Sequence, residues 1–293
     1  MDKKDLIYEY TKSLRGKTLL LTGAGGGLGK AVFKYLAVPG GKYILISRSQ
    51  EKSKILKREY DRLYPGIDIE YLSADFENCN EVKALCKRLQ NYDIDYLMHN
   101  AGNYFMPRRK SAVGVDGVFQ INFLSPYYMT KELLPILKKT GGKVIITGSI
   151  AHSMSEAKRD DVDFSRRSLP EAVYGNSKRY LMYAHKELLR ESGIKMAIAH
   201  PGISPTGITD NYPKLLQYIT KPGMRLVFMA PEKACLGLLR AVFEDLPFSA
   251  WAGPKRLNIW GKPAIKALPP CSFEERKFIF ESAEKLYSQM KNL

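Results

Sequence analysis

A chain of 293 residues with 45% apolar side chains carries enough hydrophobic material to bury a core as one large or two small domains. Its four cysteines (79, 86, 235 and 271) and four histidines show neither C-x-x-C nor metal-ligand spacing, which excludes a disulfide scaffold and argues against a zinc or iron centre. The net charge of +16 suits an anionic surface or a phosphorylated ligand, but the basic residues are dispersed and lack an aromatic-rich basic motif, so no nucleic-acid partner is expected.

In chain order, Leu6, Ile7, Tyr10 and Leu14 recur at helical spacing, so an N-terminal helix over 1–15 should pack on the body. Short β-prone runs follow near 18–22, 43–47, 67–73, 95–99, 143–148, 195–200 and 248–252. Amphipathic helical runs lie between and after them, over 28–37, 51–63, 79–91, 111–138, 171–192, 231–244 and 272–290. Regular alternation of this kind implies βαβ units: an α/β fold with a parallel sheet of about seven strands and helices on both faces. No linker or repeat divides the chain, so 1–293 reads as one domain, with a variable substrate lid over 203–230 and a helical extension over 271–293. The apolar runs fall far below the ~20 residues that cross a bilayer, so no transmembrane segment is expected. Met1-Asp2-Lys3-Lys4-Asp5 lacks the apolar core of a secretion signal, which points to the cytoplasm and to reduced thiols.

Thr22-Gly-Ala-Gly-Gly-Gly-Leu-Gly29 leads from the first strand into the first helix. Glycines there let backbone approach phosphate, and helix-end amides hold it, so a dinucleotide pyrophosphate is the expected occupant of Gly23, Gly25, Gly27, Leu28 and Gly29. A P-loop does not fit, because position 24 is Ala and Lys30 is followed by Ala31. After the second strand, Ser47-Arg48 stands where an acid would bind ribose hydroxyls; the Arg48 fork suits a 2′-phosphate instead, favouring NADP over NAD. Tyr174 and Lys178 share a helix face at i and i+4, and a nearby ammonium is expected to lower the phenol pKa from ~10. With Ser149 at a strand end, the pair describes a site that reduces a carbonyl or oxidises an alcohol beside the dinucleotide.

These residues, in this order, resemble the short-chain dehydrogenase/reductase family over about residues 15–255. The resemblance implies a single Rossmann-type doubly wound sheet. It implies a catalytic set of Asn122, Ser149, Tyr174 and Lys178, the last two also touching the cofactor. Asp75, with Phe76, is similar to the family's adenine-contacting segment, and Asn100-Ala101-Gly102 to its turn after strand four. Pro201-Gly202, Ser204 and Thr206 resemble the segment holding the nicotinamide carboxamide. Ser149-Ile-Ala-His152, the long insert before Tyr174 and His200-Pro-Gly look like retinol-dehydrogenase-type members, which suggests a lipophilic carbonyl or alcohol substrate. Two departures stand out: Ser149 and Tyr174 are 25 positions apart, about twice the commonest family interval, and the glycine loop has no basic residue.

Further expectations concern the surroundings. His152 is a candidate substrate-side group, His99 and His200 structural strand-end residues, and Tyr104, Tyr212 and Trp251 candidate pocket walls. Family members often form dimers or tetramers through their long helices, so a homodimer or homotetramer is an option that the 271–293 extension could alter. Two other functions remain open from sequence: a non-catalytic nucleotide-sensing regulator, and an epimerase or dehydratase with tightly held cofactor.

Overall fold

Leu19, Leu20 and Leu21 are fully buried on both faces of their strand, which explains why this run shows no alternation: helices cover the sheet on either side. The computed structural model describes residues 11–104, 106–166, 169–202 and 229–293. In chain order these hold β1 (Thr18–Thr22), α1 (Gly27–Leu36), β2 (Lys42–Ser47), α2 (Gln50–Leu63), β3 (Asp68–Ser73), α3 (Cys79–Leu89) and β4 (Tyr96–His99). Then come α4 (Gly117–Phe119), a π turn (Gln120–Leu124), α5 (Ser125–Thr140), β5 (Lys143–Thr147), a 3-10 turn (Ile150–Met154), α6 (Pro170–Ser192) and β6 (Lys195–Ala199). The chain closes with α7 (Pro231–Phe243), β7 (Ala250–Arg256), β8 (Trp260–Ala267) and α8 (Phe273–Lys291). The expected helix over 1–15 and lid over 203–230 fall mostly outside the described residues.

The strand order is β3-β2-β1-β4-β5-β6-β7-β8, parallel through β7. Order reverses between β1 and β4, paired as Leu21 with Met98, and that reversal opens a crevice at the strands' carboxyl ends. One face packs Phe119, Phe123, Tyr127 and Tyr180 against the sheet, the other Phe33, Tyr60 and Leu238. No helix among the described residues is long and apolar enough to cross a membrane.

Two expectations change. The helix expected over 111–138 starts at Gly117, because Gly114 adopts a left-handed φ of 87° in a tight turn and Asp116 caps Val118 N at 2.8 Å. An eighth strand, β8, pairs antiparallel with β7, lengthening it to Arg256. Its Trp-Gly-Lys-Pro start lacks strand periodicity; as an edge strand it is held chiefly by hydrogen bonds to one neighbour.

Pro126 accounts for the π turn. It has no N–H to give the Asn122 carbonyl four residues earlier, and its ring crowds that carbonyl, so the helix widens and Ser125 N–H reaches back to Gln120.

Helix α8 straps the outer faces of α5 and α6. Tyr127 donates to Glu284 at 2.5 Å, Tyr287 to Glu132 at 2.6 Å and Tyr183 to the Pro269 carbonyl at 2.6 Å. Glu275 accepts two hydrogen bonds from Arg179, at 2.6 and 2.5 Å, and one from Ala157 N at 2.8 Å. Both side chains of that ion pair are largely buried, at 8% and 16% exposure, so removing one partner strands the other. Glu275→Leu should therefore lose on the order of 3 kcal/mol of unfolding free energy, measured by urea denaturation at constant m.

Candidate active site

At the carboxyl end of β1 the chain turns through Gly23, whose φ of 69° favours glycine and whose added Cβ would lie 2.8 Å from Ala101 Cα. A Cβ on Gly29 would collide with the Gly23 carbonyl oxygen, so the first turn of α1 packs directly on the loop. Gly25, Gly26 and Gly27 are exposed, whereas Leu28 is buried beneath the helix. The α1 N-terminus has neither a side-chain cap nor an acid in its first turn, so its amides face outward with the dipole behind them. Uncapped donors, bare glycine backbone and a 10-residue helix fit a pyrophosphate.

Beside this loop Ser47, 7% exposed at the end of β2, has a hydroxyl without a hydrogen-bond partner. Arg48 Nε donates to Asp75 Oδ2 at 3.0 Å, so the two residues expected to contact the adenosine half hold each other. Asp75 is itself fixed: its Oδ1 accepts from Glu77 N at 3.1 Å and its N–H donates to Glu81 at 2.9 Å. Phe76 turns the other way, its ring 5% exposed in the core and its carbonyl accepting from Ser125 at 2.5 Å; only its backbone borders this side.

Asn100-Ala101-Gly102 sits directly on the glycine loop. Thr22 Oγ1 accepts from Asn100 N and Ala101 N, both at 3.0 Å, and Asn100 Nδ2 donates to the Thr22 carbonyl at 3.1 Å. Asn100 Oδ1 is buried without a partner. Asn122, fully buried in the π turn, clamps the following strand-end turn: Nδ2 donates to the Asn103 carbonyl at 2.8 Å and to Ser177 Oγ at 3.0 Å, while Oδ1 accepts from Asn103 N at 2.7 Å. A Cβ on Gly102 would lie 3.2 Å from Asn122 Oδ1 and 3.4 Å from Lys178 Nζ, which places all three together.

Ser149 follows β5, and α6 brings Tyr174 onto it. The close approach depends on Gly175, where a Cβ would lie 2.5 Å from the Ala151 carbonyl oxygen. Ser149 lies close enough to Tyr174 to favour its phenolate, so the 25-residue interval is spanned in space. Lys178, 4% exposed, donates to the Thr147 carbonyl at 3.0 Å, with its Nζ 5.9 Å from the Tyr174 ring centroid. Burial pushes the Lys178 ammonium down to about 8. The Tyr174 phenol is pushed up by burial, with Ser149 only partly opposing. This corrects the expected downward shift: both groups lose water, and the ammonium is directed to a backbone carbonyl. Tyr104 packs its ring 4.8 Å from that of Tyr174 and forms the visible wall of the site.

Other expected neighbours lie elsewhere. His152 is fully buried, its Nδ1 2.5 Å from the Ser149 carbonyl, its own carbonyl accepting from Arg179 at 3.1 Å, and its pKa lowered by burial; it braces the Ser149 segment instead of facing substrate. Trp251, 1% exposed between His152 and His200, belongs to the core, not to a pocket wall. His99 meets Thr130 at 2.7 Å and His200 the Asn258 carbonyl at 2.8 Å, both as buried structural residues. Gly202 has a φ of 81°, half-buried Pro201 precedes it, and Ser204, Thr206 and Tyr212 lie outside the described residues. Among the described residues no cluster of His, Cys, Asp or Glu could hold a metal. Gly175 and Thr22, which lie inside the two motifs, and Pro126, which follows Asn122 by four residues, carry geometry that the motifs alone do not assign to them.

Comparisons with known proteins agree with this geometry. A family model described as short chain dehydrogenase matches residues 17–215. Polyprenol dehydrogenase of Danio rerio is 26% identical over 267 residues, covering 83% of this chain and 82% of its own. Retinol dehydrogenase 13 of Mus musculus is 28% identical over 203 residues, 66% of this chain and 60% of that protein. Among solved structures, an uncharacterized protein from Mycobacterium paratuberculosis superposes with a TM-score of 0.69 at 22% identity, covering 95% of this chain and 93% of that one, which establishes the shared fold. The chain belongs to the short-chain dehydrogenases, in a retinol-dehydrogenase-like branch, and is an oxidoreductase of CH–OH groups that works with a nicotinamide dinucleotide.

Proposed function

We propose that this enzyme interconverts a carbonyl and an alcohol on a lipophilic small molecule, with NADP(H) as its dinucleotide and Tyr174 as the proton donor and acceptor. The observation that carries the reading is the meeting of Tyr174, Ser149, Lys178 and Asn122 at the carboxyl edge of the sheet, beside uncapped amides and bare glycines. The bound dinucleotide supplies or accepts the hydride. Gly23, Gly25, Gly27 and Gly29 would hold its pyrophosphate and Asn100 to Gly102 its central part. Pro201 and Gly202 would border the nicotinamide end, with Ser204 and Thr206 assigned there from sequence alone. Residues 203–230 are assigned as the lid of one domain spanning the chain.

In the reducing direction a neutral Tyr174 phenol gives its proton to the carbonyl oxygen, and Ser149 hydrogen-bonds that oxygen as charge grows on it. The upward shift of the phenol favours this protonated starting state. The resulting phenolate is stabilised by the Lys178 ammonium, whose depressed pKa of about 8 lets it return a proton near neutral pH. Asn122 fixes the Asn103 turn next to Lys178, so it orients the relay's exit. Arg48 offers its Nη donors to a 2′-phosphate while Nε stays on Asp75. A lipophilic substrate is supported by the names of the retinol and polyprenol dehydrogenase relatives and by the apolar-edged Tyr104 wall.

Tyr174→Phe should lower kcat with a soluble ketone by about 10²–10⁴-fold while NADPH still quenches protein fluorescence with unchanged Kd. Arg48→Ser should raise the NADPH Kd by about tenfold or more and the NADH Kd by less than about threefold, read by the same titration. Lys178 should also leave a pH signature in the cofactor-free protein. It releases its proton near 8 when folded and near ~10.4 when unfolded, so the unfolded chain binds more protons in that window and stability rises with pH through it. Against Lys178→Met, the wild type should gain on the order of 3 kcal/mol between pH 7.5 and 10.5 in urea denaturation.

A further inference from the structure

The segment after β5, from Ser149 to Ser155, lies along α6 and is fastened to it at three places. Ser155 Oγ donates to the Ala172 carbonyl at 2.9 Å, and Arg179 Nη1 donates to the His152 carbonyl at 3.1 Å. Between them the Ala151 carbonyl oxygen packs on Gly175, where a Cβ would lie 2.5 Å from it. Positions 172, 175 and 179 stand at i, i+3 and i+7, so they form one stripe of the helix. Tyr174 and Lys178 each come one residue before a member of that stripe. The turn that begins at Ser149 is thereby indexed to the helix that carries the phenol and the ammonium.

His152 closes this turn from inside. Its main-chain N–H donates to the Ser149 carbonyl at 3.2 Å, and its ring Nδ1 meets the same oxygen at 2.5 Å. A carbonyl only accepts, so Nδ1 bears the ring's proton; burial lowers the imidazole pKa and keeps the ring neutral, with Nε2 left as an acceptor 3.4 Å from Ser153 Oγ. The ring is fully buried and edge-on to Trp251 at 5.5 Å, which stops it from swinging away. One residue therefore saturates the Ser149 carbonyl and fixes its peptide plane. Ser149 Oγ in turn accepts from Ala151 N at 3.2 Å, which leaves the hydroxyl proton to be donated.

A buried neutral histidine could satisfy itself on any spare carbonyl. This one holds the carbonyl of the serine set beside the phenol, and its own carbonyl is held by the residue next to Lys178. The guanidinium has no freedom to do otherwise. Its Nε and Nη2 are taken by Glu275 of α8 at 2.6 and 2.5 Å, which directs Nη1 to the turn.

We propose that His152 and Arg179 are positioning residues of the reaction: together they hold the Ser149 turn at the separation from α6 that lets the serine hydroxyl and the Tyr174 phenol meet one substrate oxygen. This rests on the reading of Ser149 as a donor to that oxygen. Neither residue touches substrate. Both act through Ser149, so their effect on turnover vanishes when position 149 has no hydroxyl.

A double-mutant cycle on kcat, with a soluble ketone and NADPH, tests the assignment. Ser149→Ala alone should lower kcat about 10²-fold, as expected for loss of one donor to a developing oxyanion. His152→Leu removes Nδ1–H and should lower kcat about tenfold, while KM and the NADPH Kd change less than about twofold. His152→Asn, whose amide Nδ2 stands where Nδ1 does, should bring kcat back to within about threefold of wild type. Added to Ser149→Ala, His152→Leu should cost less than about twofold more, because the hydroxyl it positions is gone. Arg179→Lys keeps a cation for Glu275 but cannot also reach the His152 carbonyl; it should repeat the pattern, and it serves as the probe if His152→Leu fails to fold. A merely structural brace would lower Tm and cost the same factor in kcat with or without the serine hydroxyl. The inference is overturned by unchanged kcat in both His152→Leu and Arg179→Lys, or by losses that multiply with that of Ser149→Ala. Undiminished turnover by Ser149→Ala would overturn the reading of Ser149 as well, and the cycle shows that result separately.

Discussion

Lys178 carries its ammonium 4% exposed, bonded to the Thr147 carbonyl and close to Gly102 and Asn122, and a buried charge of this kind persists only where surrounding groups hold it in place. Much of the architecture serves that placement. The sheet's reversal between β1 and β4 brings Gly23 against Ala101, β5 delivers the Thr147 carbonyl, and α6 delivers the lysine. Gly175 lets α6 approach the turn after Ser149 closely enough to set the phenol beside the serine. The same desolvation that depresses the lysine raises the phenol, so the resting state sets a protonated tyrosine beside a cation poised near neutrality.

The elements were legible in the sequence because parallel strands are continuous apolar runs and the helices between them are amphipathic: β1, β5 and β6 fall within a residue of expectation. The glycine loop and the Tyr174 and Lys178 pair were legible for a related reason, since local spacing alone fixes how those atoms face. What stayed hidden is set by distance along the chain. Nothing near Arg48 signals that Asp75 will meet it, and nothing near His152 signals that Arg179 and Trp251 will enclose it. Phe76 follows a motif acid, but in the turn after β3 its ring packs into the core. The Tyr174 shift runs opposite to the i, i+4 expectation because burial dehydrates the phenol and the Lys178 ammonium alike.

Coupling between the site and the rest of the molecule runs through Arg179, the residue after Lys178. Its guanidinium joins the His152 carbonyl, three residues past Ser149, to Glu275 on α8, and Glu275 in turn holds the backbone of Ala157 in the charged insert. The insert is therefore pinned at its start, and Asn176 pins it again by donating to the Val162 carbonyl at 2.5 Å. A segment that reads as a loop of free charges is instead stapled to the helix that bears the tyrosine and lysine.

The strap formed by α8 has a bearing on self-association. Tyr127, Lys131 and Glu132 of α5 and Tyr183 and Arg179 of α6 are already engaged by residues of α8 or its leading segment. A neighbouring molecule seeking those helices would have to peel away a nineteen-residue element before touching them. Any assembly of this chain through those two helices would therefore carry the cost of displacing α8.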